Sequence, residues 1–207
     1  MIFPPILLLS GYLLLTIVIL KIFGQKYALD LPDARKQHMD AVPQIGGLVF
    51  GPLFLFIAWW SGLAPQWYIV GGGVSILLGA VDDNRHVRWQ IKFIIQLALA
   101  AYISMIFWGR FEVITFYNLS FPISQLGLLL IFLIWFIGIY NSVNLLDGLD
   151  GLAGGFMLLL CLGLGLSGSG SFATLNLMFS VILLGFLVFN QRPAKLFMGD
   201  AGSLLLG

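Results

Sequence analysis

Read for hydrophobic and polar positions, the chain alternates long apolar runs with short polar stretches. A helix that crosses a bilayer needs roughly 17–25 mostly apolar residues. Seven stretches fit that pattern: about 2–22, 45–61, 66–81, 91–108, 123–141, 152–167 and 173–190. The shorter ones are expected to be flanked by protein or to lie at a shallow depth. An eighth helix is expected to begin near Ser203, just before the sequence stops at Gly207. The first run does not read as a cleavable signal peptide, because no basic segment precedes it, it is too long, and its nearby cation, Lys21, follows it. The pattern predicts an all-α fold, a polytopic membrane helix bundle, with residues 1–207 forming a single integral-membrane domain.

Composition agrees and narrows the function. Hydrophobic residues make up 60% of the 207 and charged residues 9%, against about 25% in an ordinary soluble domain. Such a chain cannot cover a globular surface with ions, which excludes a water-soluble enzyme. A net charge of +1 and the lack of a basic stripe exclude nucleic-acid binding, and the apolar content excludes disorder. The one cysteine, Cys161, rules out an internal disulfide framework and reads as a small packing residue. Gly47xxxGly51, Gly71-Gly72-Gly73 and Gly151xxxGly155 read as sites of close helix packing.

Charge then orients the spans. With the N-terminus outside, the loops 23–44, 82–90, 142–151 and 191–202 face the cytoplasm, and with Lys21 and Lys92 at their edges they hold nine of the ten Lys and Arg residues. Only Arg110 lies opposite, which is the positive-inside pattern. Eight of the nine acids share that face, and the rule does not ask for acids there. Several abut apolar helices, where an unpaired carboxylate is costly. A metal ion is the simplest compensation.

Four clusters stand out on this face. The first, Asp33-Ala-Arg35-Lys36-Gln-His38 followed by Pro43 and Gly46-Gly47, suits a phosphate-bearing ligand, and equally reads as ordinary positive-inside charge beside anionic lipid. The second is Asp82-Asp83, with Arg85 and Arg88 nearby. Adjacent carboxylates do not both ionise cheaply without a cation or hydrogen bonds, so one suits a base and the other a metal or cation partner. The third carries Asn141, Asn144, Asp147 and Asp150 at three-residue intervals, one slowly rotating face if helical, with glycines that predict a helix break. Its oxygens are hard ligands of the kind Mg²⁺ or Mn²⁺ prefers. The fourth, Arg192-Pro-Ala-Lys195-Leu-Phe-Met-Gly199-Asp200, puts an Asp at the start of a helix, a plain cap by itself and a further ligand in this company.

Acids, a divalent metal and basic residues together describe phosphoryl-transfer equipment. The chain has no Walker A loop, kinase glycine loop, GxSxG or HExxH. The layout suits a soluble diphosphate-bearing substrate and a lipid-borne one.

The segments Pro32-Asp-Ala-Arg-Lys-Gln-His38, Asp82-Asp83, Asn144-Leu-Leu-Asp147-Gly-Leu-Asp150-Gly and Phe197-Met-Gly-Asp200-Ala-Gly-Ser203 resemble those of the polyprenyl-phosphate N-acetylhexosamine-1-phosphate transferases. That group is glycosyltransferase family 4, which includes MraY and WecA, and the first loop is more similar to the WecA and TagO branch. The resemblance covers roughly residues 30–207. It implies that a polyprenyl phosphate, undecaprenyl phosphate in bacteria, attacks the β-phosphorus of a UDP-N-acetylhexosamine, UDP-GlcNAc foremost, and releases UMP in the bacterial inner membrane. It further implies Asn144 and Asp200 as the Mg²⁺ site, with Mn²⁺ as a substitute, and Asp82, Asp83, Asp147 and Asp150 as the catalytic carboxylates. Arg35, Lys36, His38, Asn141 and Lys195 would contact substrate. A homodimer is expected by the same resemblance. Family members continue beyond the Gly-Asp-x-Gly-Ser motif, so the domain is expected to be incomplete at its C-terminal end and weakly active or inactive by itself. The rival classes are a transporter, which would place charges at mid-span, and a membrane scaffold, which would not need these acids.

Overall fold

The computed structural model describes residues 5–23, 29–30, 41–110, 113–116 and 119–207. Among them are eight helices: α1 (Pro5–Phe23), α2 (Gly46–Trp60), α3 (Gln66–Arg85), α4 (Trp89–Ile106), α5 (Gln125–Leu146), α6 (Leu152–Ser167), α7 (Gly170–Asn190) and α8 (Gly199–Leu206). Seven match the apolar runs, α6 residue for residue. The eighth starts four residues earlier than expected. α4, α5 and α7 are each long and apolar enough to cross a membrane, while α2, α6 and the 11–20 part of α1 are apolar but shorter.

Two short antiparallel pairs join the helices. β1 (Leu29–Asp30) pairs with β2 (Val42–Pro43), and β3 (Val113–Phe116) with β4 (Leu119–Pro122). The hydrophobic pattern did not predict either, because strands of two to four residues are too short to show alternation.

The main core forms where α1, α2, α6 and α7 meet. Phe54 stacks on Phe179 with ring centroids 4.0 Å apart, and Phe50 meets Phe186 edge to face at 5.3 Å. Ile182, Leu183 and Leu196 are fully buried beside them. Elsewhere the exterior is apolar: Leu126, Leu130, Ile134 and Trp135 on α5 and Leu159 on α6 are all exposed. An apolar surface of this extent suits hydrocarbon rather than water.

α8 lies inside the bundle, against α2, α3 and α5, and glycines let it in. A Cβ on Gly47 would overlap the backbone of Gly202, and one on Gly79 would overlap the backbone at Asp200 and Ala201. Of the glycines expected to pack, Gly51 and Gly72 do so against Ile76, Leu55 and Leu205, whereas among the described residues nothing lies within 4 Å of where a Cβ on Gly73 or Gly155 would stand. The tightest contacts therefore lie at glycines that flank the acidic motifs.

Candidate active site

The site is built where α3 ends, α4 begins, α5 ends and α8 begins. α3 continues beyond its apolar part, 66–81, so that Asp82 and Asp83 stand on its last turn. His86 then takes a left-handed conformation (φ 48°) and caps the helix by donating its N–H to the Asp82 carbonyl. His tolerates that conformation better than most residues. The reversal returns the chain as α4, and the Val87 N–H donates to Asp82 Oδ1 at 2.6 Å. Lys92, on the first turn of α4, donates to Asp82 Oδ2 at 2.5 Å and lies 3.7 Å from Asp200 Oδ2. The sequence marks Lys92 only as a charge at a loop edge, because the turn at His86 is what brings it to Asp82 and Asp200.

Asp83 serves another helix. Its two carboxylate oxygens accept the Asp200 and Ala201 N–H groups, at 2.8 and 3.2 Å, and so satisfy the first turn of α8. Asp200 therefore need not act as that helix's cap. Its Oδ1 accepts from Asn144 Nδ2 at 2.9 Å, and the same amide donates to Ser203 Oγ at 2.8 Å. The approach to α8 is held from behind: the Gly46 and Gly47 N–H groups at the start of α2 donate to the Phe197 and Met198 carbonyls, at 2.9 and 2.8 Å. Those two glycines thus receive the protein's own backbone.

The third cluster divides as its glycines predicted. α5 stops at Leu146, and Gly151, in a left-handed conformation (φ 74°), leads into α6. Asn141 and Asn144 lie on the last turns of α5, with Asp147 at its end. Asp150 faces away toward the loop before α8, where its Oδ2 accepts the Ala194 N–H at 3.1 Å. Asn190, which the sequence reading did not single out, fastens the same loop: it accepts from the Gly151 N–H and donates to the Leu196 carbonyl. Asn141 exchanges hydrogen bonds with Gln96 of α4. Lys195 is exposed in the loop. Arg35, Lys36 and His38 lie outside the described residues.

The electrostatics follow from burial and crowding. Burial works to raise Asp82, but hydrogen bonds from Asp200, Lys92 and the Val87 N–H outweigh it and hold this carboxyl below its ordinary value. Burial lifts Asp83 to about 6 against the pull of its two backbone donors. Burial, then the hydrogen bond with Asp82, lifts Asp200 to about 6. Asp147 rises to about 8, through burial first and then the charges of Asp200 and Asp83. Asp82 and Asp200 thus share the Lys92 ammonium, and Asp83, Asp147 and Asp200 resist ionisation.

This donor set fits a hard divalent cation. Asn144 uses its amide hydrogens on Asp200 and Ser203, which leaves the amide oxygen free to serve as a ligand atom near the Asp200 carboxyl. Among the described residues, no three Asp, Glu, His or Cys side chains converge closely enough to hold a metal alone. A hard divalent cation held there would complete its shell with water or substrate oxygens.

An apolar bundle whose helix ends gather carboxylates around a lysine defines a multi-pass membrane protein with a polar site at one end. Comparison with known sequences supplies the family. The profile described as Glycosyl transferase family 4 matches residues 66–207, and the chain belongs to that family. It is 37% identical over 212 residues to the probable undecaprenyl-phosphate N-acetylglucosaminyl 1-phosphate transferase of Bacillus subtilis (strain 168), covering 94% of this chain and 57% of the relative. It is 34% identical over 190 residues to the undecaprenyl-phosphate alpha-N-acetylglucosaminyl 1-phosphate transferase of Thermotoga maritima, covering 91% and 57%. It is 32% identical over 210 residues to the phospho-N-acetylmuramoyl-pentapeptide-transferase of Staphylococcus carnosus, covering 89% and 65%. The chain thus spans 57% to 65% of the length of these curated relatives.

Proposed function

We propose that this chain carries the catalytic face of a transferase that moves N-acetylhexosamine-1-phosphate from a UDP-sugar to undecaprenyl phosphate, releasing UMP. The two transferases named for N-acetylglucosamine favour UDP-N-acetylglucosamine as the donor. The observation that carries the reading is the gathering of Asp82, Asp83, Asn144, Asp147 and Asp200 at one end of an apolar bundle, with Lys92 bonded to Asp82 and close to Asp200. A site of that kind meets both a lipid-borne phosphate and a soluble diphosphate.

In the reaction, an oxygen of the lipid phosphate attacks the β-phosphorus of the UDP-sugar. The bond from that phosphorus to the bridging oxygen breaks, and UMP leaves with the electron pair. The lipid phosphate is anionic at neutral pH and needs little activation, so direct attack is the simpler course. Lys92 offers its ammonium to the phosphates, and Asp82 orients that ammonium beside the incoming lipid group. Asp83 holds the start of α8 and with it Asp200. Asp200, Asn144 and Asp147 would hold Mg²⁺, which would offset charge on the diphosphate. Arg35, Lys36, His38 and Lys195 are further phosphate contacts on the strength of their charge and sequence position. Asp150 contributes through the loop it fastens. The Lys and Arg distribution supports an outside N-terminus and a cytoplasmic site in a bacterial plasma membrane.

The test is UMP release by the purified protein in detergent, supplied with UDP-N-acetylglucosamine, a short polyprenyl phosphate and Mg²⁺. Release that requires lipid and metal, and vanishes in Asp200→Asn, is the expected result. A protein extended to the length of its relatives that stays silent with every UDP-N-acetylhexosamine overturns the reading.

A further inference from the structure

The buried amide of Gln96 plays no part in the chemistry above, yet it sits one helical turn from Lys92. Gln96 is only 3% exposed. Its Oε1 accepts from Asn141 Nδ2 at 2.8 Å, and its Nε2 donates to Asn141 Oδ1 at 3.3 Å. Asn141 Nδ2 also donates to the Ile137 carbonyl at 2.8 Å. The Asn141 amide is thus engaged inside the protein at both ends.

The neighbours give this pair its meaning. Residues four apart share a helix face, so Lys92 and Gln96 lie in one column on α4, continued by the buried Ala100 and Ser104. On α5, Asn141 lies one turn before Asn144, which donates to Asp200. α4 packs chiefly against α5 and only slightly against α3. Among the described residues, α4 is tied to Asp82 at its start by Val87 and Lys92, and beyond that first turn α5 is its main neighbour and chiefly fixes how it is rotated and how far it slides. Among apolar helices, an interhelical amide bond is a directional constraint where packing alone allows drift. A small rotation of α4 would carry the Lys92 ammonium away from Asp82 and Asp200, since it is held at the end of a long stem.

We propose that the Gln96–Asn141 amide pair is a positioning device that sets the register of α4 on α5 and thereby the reach of Lys92 to Asp82 and Asp200. It deepens the transferase reading by naming what aligns the Lys92 ammonium, and the alignment is testable without any activity.

A carbodiimide joins an amine to a carboxylate only where the two touch, and mass spectrometry then measures the Lys92–Asp82 and Lys92–Asp200 cross-links in the detergent-purified protein. Gln96→Leu is expected to lower their yield about threefold to tenfold, the range an interhelical hydrogen bond of ordinary strength supports. The exchanged pair Gln96→Asn with Asn141→Gln keeps the total side-chain length and is expected to restore the yield. Asn141→Ala carries the same test should Gln96→Leu not fold. Unchanged cross-linking, or a loss that the exchanged pair does not restore, overturns the proposal. UMP release adds a second check: the loss caused by Gln96→Leu should disappear in a Lys92→Ala background, because a residue acting through Lys92 has nothing left to align. Additive losses count against it. If the protein extended to the length of its relatives is silent as well, the transferase reading falls and the cross-link result alone decides this one.

Discussion

The α6–α7 hairpin and the α3–α8 contact are both close helix pairs, but they are packed by different means. α6 and α7 interdigitate side chains: Gly154 receives Leu187 and Phe186, and Gly165 receives Leu177. α3 and α8 touch main chain to main chain at Gly79, with no side chain between. Side-chain packing tolerates a few tenths of an ångström of adjustment, whereas backbone contact does not. The acids sit on the rigid pair. Asp83 reaches the N–H groups of Asp200 and Ala201 only because Gly79, one turn earlier, lets the two backbones meet.

The largest effect is therefore expected from the smallest substitution. Gly79→Ala puts a methyl group into the backbone at Asp200 and Ala201. The helices must separate, and Asp83 loses its hold on α8. UMP release should fall at least about 100-fold, the order of loss that a misplacement of about 1 Å produces. A Gly79→Ala protein with near-normal turnover would show that the contact is not what aligns the acids.

The apolar pair should respond the other way, losing stability while keeping its chemistry. Phe54→Ala removes the ring stacked on Phe179 and is expected to cost about 3–5 kcal/mol. A lowered melting temperature in detergent, with turnover per folded molecule within about twofold of wild type, is the expected pair of results. The twofold bound follows from the near-independence of distant sites.

Much of this contrast could be read from the sequence, but not its cause. The apolar runs gave α6 over 152–167 without error, because a membrane helix is announced by length alone. The four clusters gave Asp82, Asp83, Asn144 and Asp200, because carboxylates beside apolar spans are conspicuous. Lys92 and Gln96 escaped notice since nothing in a helix's own sequence says which neighbour it is rotated toward. Gly79 escaped as a packing residue for the same reason, while Gly73 and Gly155 looked like contacts and have open space. Asp150 and Asn190 were opaque because their partners are backbone groups, at Ala194 for the first and at Gly151 and Leu196 for the second, and backbone carries no residue signature.

A milder effect, on pH dependence, separates the two regions again. Asp147 is raised to about 8 and Asp83 and Asp200 to about 6, chiefly by burial. A carboxyl whose folded value exceeds its unfolded one binds its proton more tightly when folded. Its contribution to stability is complete below the unfolded value, near 4, and is lost as pH rises through the folded value. The metal-free protein should thus melt at progressively lower temperature between about pH 5 and pH 8. Asp82 has the opposite sign and weakens the fold only in acid. Asp147→Asn should flatten the upper part of that slope, and added Mg²⁺ should flatten all of it, since a bound cation stabilises the ionised carboxylates. Phe54→Ala should shift the whole curve down without changing its slope. A melting temperature that stays level from pH 5 to pH 8 without metal would mean that the acids do not crowd one another as described.

The smallest expected effect repeats the first substitution in the other region. Gly155 lies on the first turn of α6, with its N–H bonded to the Gly151 carbonyl at 2.9 Å and nothing within 4 Å of where a Cβ would stand. Gly155→Ala adds a methyl group to open space and removes backbone freedom from the unfolded chain, which favours the helix by up to about 1 kcal/mol. Turnover should be unchanged, and the melting temperature equal to wild type or slightly higher. The same Gly-to-Ala change then disables the molecule at 79 and leaves it intact at 155. A harmful Gly155→Ala would show that another surface, beyond the described residues, packs against α6 at that point, and the division between a rigid acidic pair and an adaptable apolar one would have to be redrawn there.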